Sequence, residues 1–276
     1  MTYPAQSSDA GASGAAPAPK LAVSNVTKRF GAPGAGLLAV SDVTFSVDEN
    51  EFVMLLGPSG CGKSTLLRMI AGLETPTSGA VRLDGAPVRG PGRDRGMVFQ
   101  GYTSFPWLTV QRNVEYGMRL HGVSRAERRE KSDRFIELVG LTQFKHAYPG
   151  TLSGGMKQRI AIARTLANHP AILLMDEPFG ALDAETRGQM QEQLRAIMRQ
   201  SRTTTIMVTH DVDEAIFLAD RIVFMSRHPG RVREIIRNSV PRDRSPADRI
   251  AAMDEPEFNR LRRRILHMMR DEAAGT

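Results

Sequence analysis

A chain of 276 residues, 41% of them apolar, can bury a sizeable core as one large domain or as a domain with appendages. Its single cysteine, Cys61, excludes an internal disulfide, and without an apolar run of 18 residues or a charged-then-apolar N-terminus neither a transmembrane helix nor a secretory signal is expected. The 37 Lys and Arg against 30 Asp and Glu leave a formal net charge of +7, which admits nucleic acid, an anionic membrane surface or a polyphosphate ligand without choosing among them.

Residues 1–20 are rich in Ala, Gly, Ser and Pro with almost nothing to bury, which predicts a disordered lead-in, with folding from Leu21. LAVSNVTKRF and LAVSDVTFSV, between Leu21 and Val47, alternate apolar and polar residues around a Gly-Pro-Gly loop, the pattern of half-buried antiparallel strands. Phe52 to Leu56 is instead short and continuously apolar. It leads into GPSGCGKST, residues Gly57, Pro58, Ser59, Gly60, Cys61, Gly62, Lys63, Ser64 and Thr65. Leu66, Leu67, Ile70 and Ala71 then recur at helical spacing up to Gly72, a helix stop. Strand, glycine loop and helix together match the phosphate-loop pattern. In it, backbone N–H groups converge on phosphate oxygens, Lys63 supplies a point charge toward the β- and γ-phosphates, and the Ser64 hydroxyl can ligate Mg2+. Cys61 stands at a free position of the pattern and reads as a tolerated small residue.

Gly96 to Phe99 is a further buried strand, followed by Gln100. Between Gln100 and Ala171 the pattern turns helical, most clearly at Arg125 to Leu138 and Gly154 to Ala167, which predicts a helical insertion in an α/β core. The second of these helices opens in LSGGMKQR, where Ser153 is a good N-cap and Gly154 and Gly155 permit close backbone approach. Ile172 to Met175 is a buried strand ending in Asp176 and Glu177, a costly position for two carboxylates unless a cation or a reacting group needs them. Alone they could also cap a helix. Asp183 suits the N-cap of a helix running to Gln200, Thr204 to Val208 precedes His210, and Ile222 to Met225 closes the parallel set. After His228 an arginine-rich tail carries Phe258, Leu261, Ile265 and Met268 at helical spacing.

These blocks together resemble the nucleotide-binding subunit of an ATP-binding cassette transporter, over Leu21 to about Met225. The resemblance implies an α/β fold: a RecA-like phosphate-loop core with a mostly parallel sheet, an N-terminal antiparallel β subdomain and a helical subdomain at about 101–165. It divides the chain into a lead-in at 1–20, an ATPase domain at 21–228 and a C-terminal helical extension at 229–276. It implies ATP and Mg2+, with Ser64, Gln100 and Asp176 at the metal, Glu177 as general base, and His210 holding the water and the γ-phosphate. Ser153, Gly154 and Gly155 are implied to meet the ATP held by a second copy, Asp183 to lie in the loop at that dimer interface, and Phe30 to stack on adenine, unless it is a plain core residue. The partners implied are a homodimer mate, two transmembrane permease subunits and, indirectly, an extracytoplasmic solute-binding protein, at the cytoplasmic face of the membrane. No nucleic acid is expected. GYTSFPWLTVQRN from Gly101 and HPGRVREI from His228 most resemble importers of the nitrate, sulfonate and taurine type. An exporter subunit is the nearest variant. A DNA-repair ATPase would interrupt its cassette with a coiled coil or a zinc module, of which there is no heptad run or CxxC pair, and a kinase would have no reason for LSGGMKQR.

Overall fold

The computed structural model describes residues 18–31, 36–101, 103–180, 182–240 and 249–274. Most of the expected lead-in, and Tyr102 and Ala181, lie outside them. Two sheets form the frame. The first is antiparallel in the order β2-β1-β4-β5, built from β1 (Leu21–Phe30), β2 (Leu37–Val47), β4 (Ser78–Leu83) and the short β5 (Ala86–Pro87). The second has the order β10-β9-β3-β8-β7-β6, from β3 (Phe52–Leu56), β6 (Arg95–Val98), β7 (Ile172–Asp176), β8 (Thr205–Thr209), β9 (Arg221–Met225) and β10 (Val232–Arg237). Its strands run parallel except β10, which pairs antiparallel with β9.

Strand alternation assigns the second sheet's side chains to two cores. Val53 and Leu55 of β3, Ile172 and Leu174 of β7 and Ile206 and Val208 of β8 pack with α1 (Lys63–Ala71) and the antiparallel sheet. Their neighbours Met54, Leu56, Leu173, Met175 and Met207 pack with the helices of the other face. Those helices are α2 (Val110–Leu120), α3 (Arg125–Leu138), α4 (Gly154–Leu166), α5 (Ala184–Ser201), α6 (Val212–Leu218), α7 (Arg249–Asp254) and α8 (Pro256–Ala274). A sheet covered on both faces needs continuous apolar strands, which is why these runs lack polar alternation.

The segment after His228, expected to be a helical extension, begins otherwise. Val232–Arg237 is a strand of the main sheet, with Ile236 opposite Ile222, and only then do α7 and α8 follow. Phe258, Leu261, Ile265 and Met268 of α8 are buried in the helical-side core, as their spacing predicts.

Candidate active site

The parallel register brings the carboxyl ends of the central strands to one edge. Leu56 is level with Thr209 and Phe224, Asp176 with Val208, and Met175 with Val98. The residues that follow these strands, Gly57, Glu177, His210 and Gln100, therefore emerge together.

The glycine loop connects β3 to α1, and here the helix start is unusual. Helices α2, α3, α4, α5 and α6 each begin with a Thr, Ser or Asp whose side chain accepts a first-turn N–H. Helix α1 begins at Gly62, in the left-handed region at φ 91°, with no side-chain cap. Its first-turn amides are thus left for the loop's interior, where an anion can take them. Lys63 is 5% exposed, and its ammonium donates to the carbonyls of Gly57 at 2.7 Å and Pro58 at 3.0 Å. The loop is wrapped around this cation. A distant segment walls it in: a side chain at Gly57 would overlap the Met225 carbonyl, and one at Gly230 the Cys61 carbonyl. Gly230 is itself held by backbone bonds to Ala39 and Ser41 of β2. Cys61 is fully buried, its Sγ 3.8 Å from Lys63 Nζ, and burial pushes its thiol pKa up. It is an inert packing residue of the loop.

Beside the loop, Ser64 Oγ donates to Asp176 Oδ1 at 2.8 Å. Burial raises the Asp176 pKa, opposed by this hydrogen bond and by Arg68. Among the described residues no group of three or more His, Cys, Asp or Glu could hold a metal. One carboxylate and one hydroxyl nevertheless fit Mg2+, which keeps waters and phosphate oxygens as its remaining ligands, so this donor set suits the ion the motif implies.

One residue on, Glu177 Oε2 lies 3.2 Å from His210 Nδ1. Glu177 has φ 43°, left-handed backbone that costs a glutamate of order 1 kcal/mol and turns its side chain back toward the edge. Gln100 comes to the same place: its Nε2 and Glu177 Oε2 lie 3.6 and 3.9 Å from the point a Gly180 Cβ would occupy. Asp211 caps α6, and its own N–H donates to Thr209 Oγ1 at 3.0 Å, which fixes the turn carrying His210.

Phe30 is 39% exposed with the Lys28 ammonium 4.9 Å from its ring centre, so it is not a core residue. Ser153 caps α4 by accepting from Met156 N at 3.3 Å and stands exposed, with Gly155 packed against Thr186 and Met190 of α5. Asp183 caps α5, accepting from Thr186 N, a bond that lowers its pKa. No hydrogen bond joins Ser153 or Asp183 to the phosphate-loop residues among those described.

Sequence reasoning passed over Glu214 and Gln191. Glu214 is 3% exposed, Gln191 Nε2 donates to its Oε1 at 2.8 Å, and it shares a small cavity with Glu177, Thr209 and His210. Burial raises its pKa to about 7. The available signal was an acid, Glu214, directly joined to the apolar run AIFL.

A buried strand, a glycine loop and an uncapped helix, set at the carboxyl edge of a mostly parallel sheet beside acidic groups, define a phosphate-loop nucleotide-binding protein. The chain belongs to the ABC transporter family, whose model matches residues 40–180. An uncharacterized ABC transporter ATP-binding protein of Methanocaldococcus jannaschii is 51% identical over 253 residues, 92% of either chain. The nitrate import ATP-binding protein NrtD of Synechocystis sp. is 46% identical over 252 residues, 91% of this chain and 95% of that one. The dimeric structure of an ATP-binding cassette in a post-hydrolysis state, bound to ADP and Pi, superposes with a TM-score of 0.66 at 34% identity, covering 79% of this chain and 98% of the other. The protein is accordingly an ATP-binding ATPase subunit coupled to transport.

Proposed function

We propose that the chain is the motor of an importer of small solutes of the nitrate, sulfonate or taurine type, acting as a homodimer that closes over two ATP molecules. The nitrate-import relative at 46% identity supports the direction of transport and the solute class. Each composite site takes its phosphate loop, Gln100, Asp176, Glu177 and His210 from one copy and Ser153 to Gly155 from the other, with Asp183 at the seam and Phe30 under the adenine. The observation that carries this reading is a split. Loop, carboxylates and histidine share one strand edge, whereas Ser153, on an exposed helix start, has no bond to them.

Within a site Lys63 faces the β- and γ-phosphates, and the loop amides hold their oxygens. Ser64, Asp176 and Gln100 would hold Mg2+, which supplies charge neutralisation at the phosphate oxygens. Glu177 accepts the proton of the attacking water, and His210, already within 3.2 Å of that carboxylate, orients water and γ-phosphate. Closure does work only because ATP binds the closed pair more tightly than the open one. No described helix is long and apolar enough to cross a membrane. Two permease subunits then supply the passage and an extracytoplasmic binding protein the solute, with this subunit peripheral at the cytoplasmic face. Phe105 and Trp107, ring centres 5.6 Å apart in the segment after Gln100, are the grip for a permease loop.

The test is Glu177→Gln with ATP, by size-exclusion chromatography in the presence of the permease. It should bind ATP and stall as a dimer with hydrolysis reduced at least a hundredfold, the scale of general-base catalysis. A variant that stays monomeric, or still turns over, overturns the reading.

A further inference from the structure

Away from the strand edge, α2 and α3 lie side by side and enclose a groove of about 660 Å³, bordered by His146 and Tyr148. Helical spacing builds its walls. Arg112, Glu115, Tyr116 and Arg119 fall at i, i+3, i+4 and i+7 on α2, and Arg125, Arg128 and Arg129 at i, i+3 and i+4 on α3, so both faces send guanidinium groups into one space.

The groove's one carboxylate is already engaged. Glu115 accepts from Ser132 Oγ at 3.4 Å and lies 4.0 Å from Arg128 Nε. Arg112, Arg119, Arg125 and Arg129 are exposed and make no ion pair among the described residues. Glu127, the acid of the first turn of α3, pairs with Lys131 instead. Four uncompensated arginines on facing helices repel one another and contribute little to packing. The arrangement is suited to an anion with several phosphate-like oxygens, which planar guanidinium forks meet bidentately.

The surroundings indicate which anion. Tyr116 is packed on Phe105 at 4.4 Å, so it is not a ring held open for a nucleic-acid base. Leu120, 65% exposed at the end of α2 and next in sequence to Arg119, puts apolar area on the same two-helix unit. A cluster of unpaired arginines with an exposed leucine at its margin is the composition of surfaces that rest on anionic lipid head groups. We propose that the α2–α3 groove docks the phosphodiester head groups of anionic phospholipids, seating the subunit on the leaflet beside its permease. The inference uses membership of a transporter family and not the direction or solute of transport.

Co-sedimentation of the full chain with vesicles tests it. Mixed phosphatidylcholine and phosphatidylglycerol vesicles should retain at least tenfold more protein than phosphatidylcholine alone, the excess fading as salt rises. Arg119→Glu with Arg129→Glu should lose most of that excess while keeping ATP hydrolysis in solution, which also shows that the variant is folded. The same reversal at Arg263 and Arg270 of α8 should keep it. Equal retention on both vesicles, an equal loss in the α8 variant, displacement by millimolar inorganic phosphate, or displacement by single-stranded RNA each overturns the proposal.

Discussion

Glu214 is the residue at which chemistry and stability meet most directly. Burial raises its folded pKa from the ordinary 4.5 to about 7, so the folded state holds a proton that the unfolded state has released. Its contribution to stability is therefore complete below pH 4.5, falls as pH rises, and is lost above about pH 7. Glu214→Gln mimics the protonated form while keeping a partner for Gln191. It should leave urea stability at pH 5 nearly unchanged and raise it at pH 8 by up to about 3 kcal/mol, since each pH unit between the two pKa values is worth about 1.4 kcal/mol. The same pH profile in variant and parent would show that Glu214 is charged in the folded protein. Glu177 is a second residue set by its surroundings, because its left-handed backbone is tolerated only while Gly180 N–H and Val208 O hold the turn, at 3.2 and 3.1 Å.

At the scale of elements, α8 is the surest test of what the tail does. Phe258 and Ile265 are fully buried against the helical-side core, and Arg262 reaches Asp213 of α6, the helix that follows His210. Phe258→Ala should cost roughly 3–5 kcal/mol in urea unfolding. A loss below 1 kcal/mol would mean that α8 is not docked in solution. The strands of the main sheet were legible within a residue because a doubly covered strand leaves a short, continuous apolar run that no surface element imitates. β10 was not: VREIIR carries arginines on an edge strand half in water, and its pairing with β9 depends on a turn between them, not on local pattern. β4 and β5 were equally silent, being short and half exposed. The candidate site divides in the same way. Phosphate loop, strand-end acids and histidine announce themselves by local spacing, whereas the Gln191–Glu214 bond joins two helices and exists only once α5 packs on α6.

At the scale of the whole molecule, the proposed motor makes a prediction that no single chain can satisfy. A chain with Lys63→Ala has a damaged phosphate loop and an intact signature helix, and one with Ser153→Arg has the reverse. Each alone should be inactive. Mixed in equal amounts they should recover at most about a quarter of the parent ATPase rate, because half the pairs are mixed and each of those holds one sound site. No recovery, with both variants folded and dimeric, would place the signature helix in the same chain's site. Part of the chain's basic character acquires a location at this scale too, in the four arginines between α2 and α3 that make no ion pair among the described residues.

The wall behind the glycine loop also sets a timetable. Gly57 backs onto Met225, and Cys61 onto Gly230, so a loop complete in sequence by residue 65 lacks these two supports until β9 and the turn after it have left the ribosome. A nascent chain stalled before residue 225 would present GPSGCGKST backed at Gly62 by β2 but open behind Gly57 and Cys61, and competence for nucleotide would arrive only once synthesis had passed Gly230.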